Sequence, residues 1–411
     1  MALENKRNNR EMNRIYPLKN SVQAYAWGSK TAIQALLGPS VPSDRPAAEL
    51  WLGAHPKAPS SVRVRDTWVP MNRFIEKDPV AILGRPVAEK YDGRLPFLMK
   101  VLAADQPLSI QVHPNQDQAR EGFERENRAG IPLDAPERNY RDPLHKPECL
   151  CALTPFEALK GFRPVEEILA FMKPLSLLFI SDALKELMDT PDAPGLKRFF
   201  SILMSMDEER QARGVEEWVR QAESILGDVR EVFWMKELNR QYPRDVGVLA
   251  PLLLNLIRLG PEEAIYISAG EPHAYLKGVG VEIMANSDNV IRGGLTPKPV
   301  DLSELLRLID VRPGSPLRVD VRESGKERIY LTPTAEFSLS RLSIFPDEPF
   351  IESRRSRVEI LVCTAGDARV TDVGNTETIP MPRGASVIVP ASVPEYQIEG
   401  KATVFRAATA G

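Results

Sequence analysis

The chain has 411 residues, of which 43% are hydrophobic and 27% charged, and a formal net charge of −3. Such values fit a globular protein of two or three domains with a sizeable core. They exclude a general basic field for nucleic acid or a membrane surface, so an anionic ligand would need a local cluster of Lys and Arg.

Residues 1–14 are polar and charged, lack the apolar centre of a signal peptide, and read as a flexible arm. From Ile15 to about Pro155, Pro and Gly punctuate short apolar runs such as Glu49–Gly53, Ser61–Val64 and Phe97–Leu102. That is the pattern of a β-sandwich or barrel, with an occasional helix such as Thr31–Leu37. Beyond about Pro164 the period changes. Val215, Trp218, Val219, Ala222, Ile225 and Leu226 follow helical spacing, as do Val165–Phe171, Leu196–Met204 and Val246–Leu259. A helical domain is expected over 156–260, with Trp218 and Trp234 in its core. Its longest apolar run, Val248–Leu259, contains Pro251, Asn255 and Arg258 and is too short to span a bilayer. Strand character returns at Ala264–Ser268, and Leu302–Ile309 reads as a helix. From Arg328 onward the chain is β again, at Ile329–Leu331, Glu336–Leu342, Val358–Cys363, Ala385–Val389 and Ala402–Phe405. This last unit has no histidine and is a poor place for a second metal centre. The three cysteines, Cys149, Cys151 and Cys363, are an odd and small set that argues for a reducing compartment. Cys149 and Cys151 would face one side of a strand as small buried hydrophobes.

The four histidines are His55, His113, His145 and His273. In Ser109–Pro114, strand alternation puts Gln111 and His113 on one face and Ile110 and Val112 on the other. His145-Lys146-Pro147-Glu148 and His273 are the candidates to complete a site. A lone histidine is more often a hydrogen-bonded core or surface residue, so the combination carries the argument. Gln111, His113, Glu148 and His273 form a mixed nitrogen–oxygen set suited to zinc or a neighbouring divalent ion. With Glu148 as the sole anion, a dication keeps a net charge of about +1, which favours an anionic substrate. Lys100 lies inside an apolar run and needs a partner. Arg292 and Lys298 flank a Gly-rich turn whose glycines permit close approach of a ligand, although an isolated Lys is usually a solvated surface charge. Arg offers phosphate a planar fork and Lys a point charge. The turn lacks the helix-opening glycine spacing of a nucleotide loop. Glu282 alternates with Val281 and Ile283, as on a strand whose polar face either looks into a cavity or, as spacing alone favours, lies exposed.

Several segments converge on one family. They are Tyr25–Gly28, Ala48–Pro56, Leu95–Leu102, Ser109–Pro114, His145–Glu148, Glu271–Tyr275 and Ala285–Lys298. With these motifs in this order the chain resembles the type I phosphomannose isomerases, zinc enzymes of the cupin superfamily. The resemblance spans about residues 15–310.

It implies a mainly β fold with an α-helical domain. A cupin-type jelly-roll catalytic domain would occupy 15–155 and 261–315, with the helical domain inserted at 156–260. A second, cupin-like β-sandwich without metal ligands would follow at 316–411. The implied activity is the interconversion of mannose 6-phosphate and fructose 6-phosphate through ring opening and a cis-enediol. One zinc ion per chain would be held by Gln111, His113, Glu148 and His273. Arg292 falls on the family's active-site arginine. His145, Lys146, Glu282 and Asp288 match positions tied to ring opening and proton transfer. Lys100, Ser109 and Lys298, with Trp27 and Glu49 of the matching motifs, would contact the substrate.

A cytoplasmic enzyme is expected, a monomer or at most a weak homodimer, with a sugar phosphate as its partner and neither nucleic acid nor membrane. Leu144 stands where the family usually has Asn, Gly293 where Ala is common, and Asn115-Gln116 where a charged residue is frequent. A non-catalytic metal-containing cupin that binds a sugar phosphate would share the same ligands. An iron dioxygenase would want more open metal positions than a four-donor set leaves. A helical scaffold would leave the histidine segments unexplained.

Overall fold

The structure is a computed structural model that describes residues 13–38, 45–298, 300–353 and 355–410. The expected arm at 1–14 lies outside the described residues except for Asn13 and Arg14, and Arg14 pairs with Glu377 at 2.6 Å.

Alternating short runs in the first half become strands β1 (Tyr16–Lys19), β2 (Ser21–Gln23), β3 (Glu49–Gly53), β4 (Ser61–Val64), β5 (Thr67–Pro70), β6 (Phe97–Ala104) and β7 (Gln111–Val112). They continue as β8 (Glu148–Ala152), β9 (Phe156–Phe162), β10 (Leu254–Leu259), β11 (Ala264–Ile267), β12 (His273–Ala285) and β13 (Ile291–Arg292). All of their pairings are antiparallel, and β12 is the hinge of the arrangement. Its first part pairs with β7 and β9, and its second, from Gly278, with β6 and β8. The strand shifts register between Tyr275 and Lys277. Gly278 then takes φ 135°, and a Cβ there would meet Phe156 at 2.5 Å. Only glycine fits both demands.

One strand thereby enters two facing layers, the double-sheet geometry of a jelly roll. The first layer runs β2-β3-β6-β12-β8-β11 and the second β10-β9-β12-β7-β13. Leu102, Leu150, Phe156, Ile257 and Tyr275 pack together between the two layers.

The first layer is buried on both faces, which explains why every residue of β6 and β8 is buried. Its outer face carries Met99, Val101, Cys149, Cys151, Val281 and Ile283. These share one core with Tyr330, Phe337, Leu339, Ile360 and Phe405 of the C-terminal unit. The two cysteines are unpaired and buried side by side, as expected. The Cys151 thiol donates to the Tyr330 hydroxyl at 3.0 Å, and that hydroxyl donates to the Glu262 carbonyl at 3.1 Å.

Helices occupy Val165–Met172, Ser181–Asp189, Ala193–Met204, Glu208–Leu226 and Arg230–Gln241, with Trp218 and Trp234 buried among them. Two expectations are corrected here. The segment read as helical over 156–260 begins and ends in strands, β9 and β10. The helical reading of Val246–Leu259 fails after Leu253, because Leu254–Leu259 is strand β10 paired with β9. Its apolar positions satisfy both periods in so short a run, and the open edge of β9 decides between them.

The C-terminal strands are β14 (Val321–Ser324), β15 (Glu327–Tyr330), β16 (Ser338–Ile344), β17 (Phe350–Ser353), β18 (Glu359–Asp372), β19 (Glu377–Pro382), β20 (Ser386–Val389) and β21 (Glu395–Ala408). β1 pairs with both β20 and β4, so β1, β4 and β5 extend the C-terminal sheet. Among the described residues no helix is long and apolar enough to cross a membrane.

Because the two β units share a core, Phe337→Ala, which empties a site with 0% exposure, should destabilise the protein by about 3–5 kcal/mol. A lower urea unfolding midpoint at unchanged slope is the expected result.

Candidate metal centre and active site

Alternation along the first layer directs one set of polar side chains into the sandwich. β6 presents Lys100, β12 presents Glu282, β8 presents Glu148 and β3 presents Glu49, each flanked by residues that face the opposite core. The Lys100 ammonium lies 3.2 Å from Glu282 and 3.6 Å from Glu49, so the buried cation has its partners. Those carboxylates raise its pKa against the opposing effect of burial. Glu282 accepts a second bond, 2.8 Å, from the Tyr275 hydroxyl of the opposite layer. Burial pushes the Glu282 carboxyl up, with Lys100 opposing.

At the mouth of this interior, His113, Glu148 and His273 are buried with their ligand atoms within 4.8 Å of one another. Each imidazole Nε2 is 3.5 Å from a Glu148 oxygen. Each Nδ1 faces a backbone carbonyl, that of Asn289 at 2.8 Å for His113 and that of Glu271 at 3.0 Å for His273. These carbonyls fix the proton on Nδ1 and leave both Nε2 lone pairs aimed at the common centre. His113 Nε2 is buried with no hydrogen-bond partner, an uncompensated cost that a metal would remove. Burial, then Lys146, pushes the His113 pKa down to about 4, keeping it in the neutral form a metal requires. The Lys146 ammonium sits 2.9 Å from Glu148, and with His113 it holds that carboxyl low although burial opposes this. Gln111 is brought beside the centre by strand pairing with both His273 and Arg292. The donor set therefore fits a zinc ion.

A second group of charges is of one sign. Arg292 is half-buried, and its pKa is lowered by burial and by Arg141. Lys298 is lowered first by Arg292, then by burial and by Arg141 and Lys57. Among the described residues neither the Arg292 guanidinium nor the Lys298 ammonium has a carboxylate partner. Asp288 pairs with Lys57 at 2.9 Å and lies 3.5 Å from His55, which hold its carboxyl well below the usual range against the effect of burial. Sequence reasoning singled out neither Arg141 nor Lys57, since an isolated surface cation carries no pattern.

Ser109 sits partly buried in the connection from β6 to β7. Trp27 stacks on Tyr25 with ring centroids 5.7 Å apart, and Glu49 accepts from the Trp51 indole at 2.7 Å. Leu144 points its side chain to solvent. Its carbonyl takes Asn289 Nδ2 at 2.9 Å, so backbone bonds hold the loop. The His145 imidazole meets Glu336 of the C-terminal unit at 3.1 Å.

The sequence matches the family description of the type I phosphomannose isomerase catalytic domain over residues 15–165, and that of its helical insertion domain over 180–254. The chain belongs to the type I phosphomannose isomerases. The mannose-6-phosphate isomerase of Escherichia coli (strain K12) is 40% identical over 392 residues, covering 95% of this chain and 98% of that one. The human mannose-6-phosphate isomerase is 36% identical over 376 residues, covering 84% of this chain and 82% of its own length. A crystal structure of the Salmonella typhimurium mannose 6-phosphate isomerase bound to fructose 6-phosphate and zinc superposes with a TM-score of 0.89. It is 38% identical and covers 96% of this chain and 99% of that one.

The Glu336 carboxyl is lowered from 4.5 to about 2, the bonds from His145 and Thr334 outweighing burial. A depressed carboxyl stabilises the fold above its unfolded pKa and loses that contribution as pH falls through the folded value. Unfolding measured between pH 4.5 and about 2 should therefore be less pH-dependent in Glu336→Gln than in the wild type.

Proposed function

We propose that the protein is a zinc-dependent aldose–ketose isomerase that interconverts mannose 6-phosphate and fructose 6-phosphate. The observation that carries this reading is the pairing of a metal-ready donor set, His113, Glu148 and His273, with the cations Arg292 and Lys298, which have no carboxylate partner among the described residues. Family membership supports it along most of the chain.

Lys298 and Arg141 hold the phosphate, and Arg292 faces the sugar oxygens on which negative charge builds. Glu282 is the base. Its carboxyl is held by Tyr275 and Lys100, burial raises its pKa, and it carries a proton between C2 and C1 through the cis-enediol. Lys146 supports Glu148 and provides a cation beside the reacting oxygens. His145 and Asp288 serve ring opening, while Ser109, Trp27 and Glu49 shape the sugar site. Lys100, clasped by carboxylates, acts on substrate through Glu282. Zinc, held by Gln111, His113, Glu148 and His273, supplies positive charge that offsets charge developing on the sugar oxygens.

The domain organisation we propose is a catalytic domain at 15–155 and 261–315, a C-terminal sandwich at 316–411, and an insertion at 156–260 whose helices lie between strands β9 and β10 of the catalytic layers. The unpaired buried cysteines support a cytoplasmic location. A monomer is the proposed functional unit.

Zinc-loaded protein should form fructose 6-phosphate from mannose 6-phosphate. Glu282→Gln should lower kcat by about 10²–10⁴-fold with little change in KM. Wild-type kcat in that variant would remove Glu282 as the base. Absence of turnover in the folded, zinc-loaded wild type would leave a sugar-phosphate-binding cupin.

A further inference from the structure

Residues Asp142–Pro147, which carry His145 and Lys146, run without regular secondary structure into β8, where Lys146 meets Glu148 at 2.9 Å. Backbone bonds shape this run. Asn289 Nδ2 donates to the Asp142 and Leu144 carbonyls at 2.7 and 2.9 Å. The Gln116 side chain donates to the Pro143 carbonyl at 2.7 Å and accepts from the His145 amide at 3.4 Å. None of these bonds orients the His145 imidazole.

The group that does so comes from the C-terminal unit, where Glu336 Oε1 lies 3.1 Å from His145 Nε2. Glu336 is itself held in place. Its other oxygen accepts from the Thr334 hydroxyl, and the adjoining Phe337 is 0% exposed in the core shared by the two β units. Lys90 and Tyr266 are the other ionisable groups that sense this carboxylate. Among the described residues, His145 Nδ1 has no hydrogen-bond partner.

We propose that Glu336 is a positioning residue for the isomerisation, fixing His145 as the Nε2–H tautomer and leaving the Nδ1 lone pair to a sugar hydroxyl. The chemistry is that of a carboxylate behind an imidazole. An ionised carboxylate only accepts, so the facing nitrogen carries the proton and the far nitrogen is an acceptor. The carboxyl of Glu336 is down to about 2, because the His145 and Thr334 bonds outweigh burial, so it stays ionised across the neutral range. The histidine-free C-terminal sandwich thereby acquires a task, which is to deliver one carboxylate to the loop of the other β unit. The assignment rests on the isomerase reading above.

The test uses full-length, zinc-loaded protein labelled with ¹⁵N-histidine, in which long-range ¹⁵N–¹H spectra read the tautomer of each of the four imidazoles. His145, identified by loss of its signal in His145→Ala, should be Nε2–H in the wild type and a tautomer mixture in Glu336→Ala, with His113 and His273 unchanged. In turnover, Glu336→Ala should lower kcat by about tenfold or more at nearly constant KM, and Glu336→Asp should restore part of the loss. Added to His145→Ala, Glu336→Ala should cost nothing further. An unchanged His145 tautomer in Glu336→Ala, or losses that multiply in the double variant, would overturn the proposal. If the wild type turns nothing over, the isomerase reading fails, while the tautomer spectra still decide the Glu336–His145 pair.

Discussion

The interior of the jelly roll holds three carboxylates, Glu49, Glu148 and Glu282, against two ammonium groups, Lys100 and Lys146, all no more than 7% exposed. Burying such charges is tolerable only if each has partners. Lys100 is satisfied by Glu49 and Glu282, and Lys146 by Glu148, which leaves an excess of one negative charge beside two neutral imidazoles. A dication at the His113–Glu148–His273 cluster reverses that sign. The interior then favours an anionic ligand, and the orphaned His113 nitrogen gains its partner.

The rest of the fold serves this arrangement. A sheet buried on both faces can direct all its polar residues one way only if the other face is fully apolar. The core shared with the C-terminal unit supplies that face. The bend of β12 at Gly278 lets one strand contribute His273 and Tyr275 to one layer and Glu282 to the other. The site is therefore made by the crossing of a single strand between layers. Among the described residues a separate group of cations, Arg292, Lys298 and Arg141, has no carboxylate partner, in contrast to Lys100 and Lys146 of the interior.

Much of this was legible in the sequence wherever period and chemistry coincide. The alternation around Glu282 marked a strand with one polar face, and only its place in a sheet buried on both sides turns that face inward. The burial of Lys100 demanded a carboxylate, and the histidine-bearing segments marked the metal donors. Helices with long amphipathic patterns, such as Glu208–Leu226, were equally clear. Leu254–Leu259 was misread because a six-residue apolar run fits either period, and its strand character comes from pairing with β9. The joining of β1 to the C-terminal sheet and the reach of Glu336 to His145 are contacts between distant segments. No local pattern encodes them. Arg141 and Lys57 gain meaning only from the cations and carboxylate that the fold places near them.

The central claim is that the buried donor set binds zinc and that the reaction depends on it. The most direct test is conversion of mannose 6-phosphate to fructose 6-phosphate before chelation, after chelation, and after zinc is restored to the stripped protein, with metal content measured at each stage. Turnover should disappear with the metal and return with zinc at about one ion per chain. Turnover that persists in thoroughly metal-free, folded protein would contradict that claim.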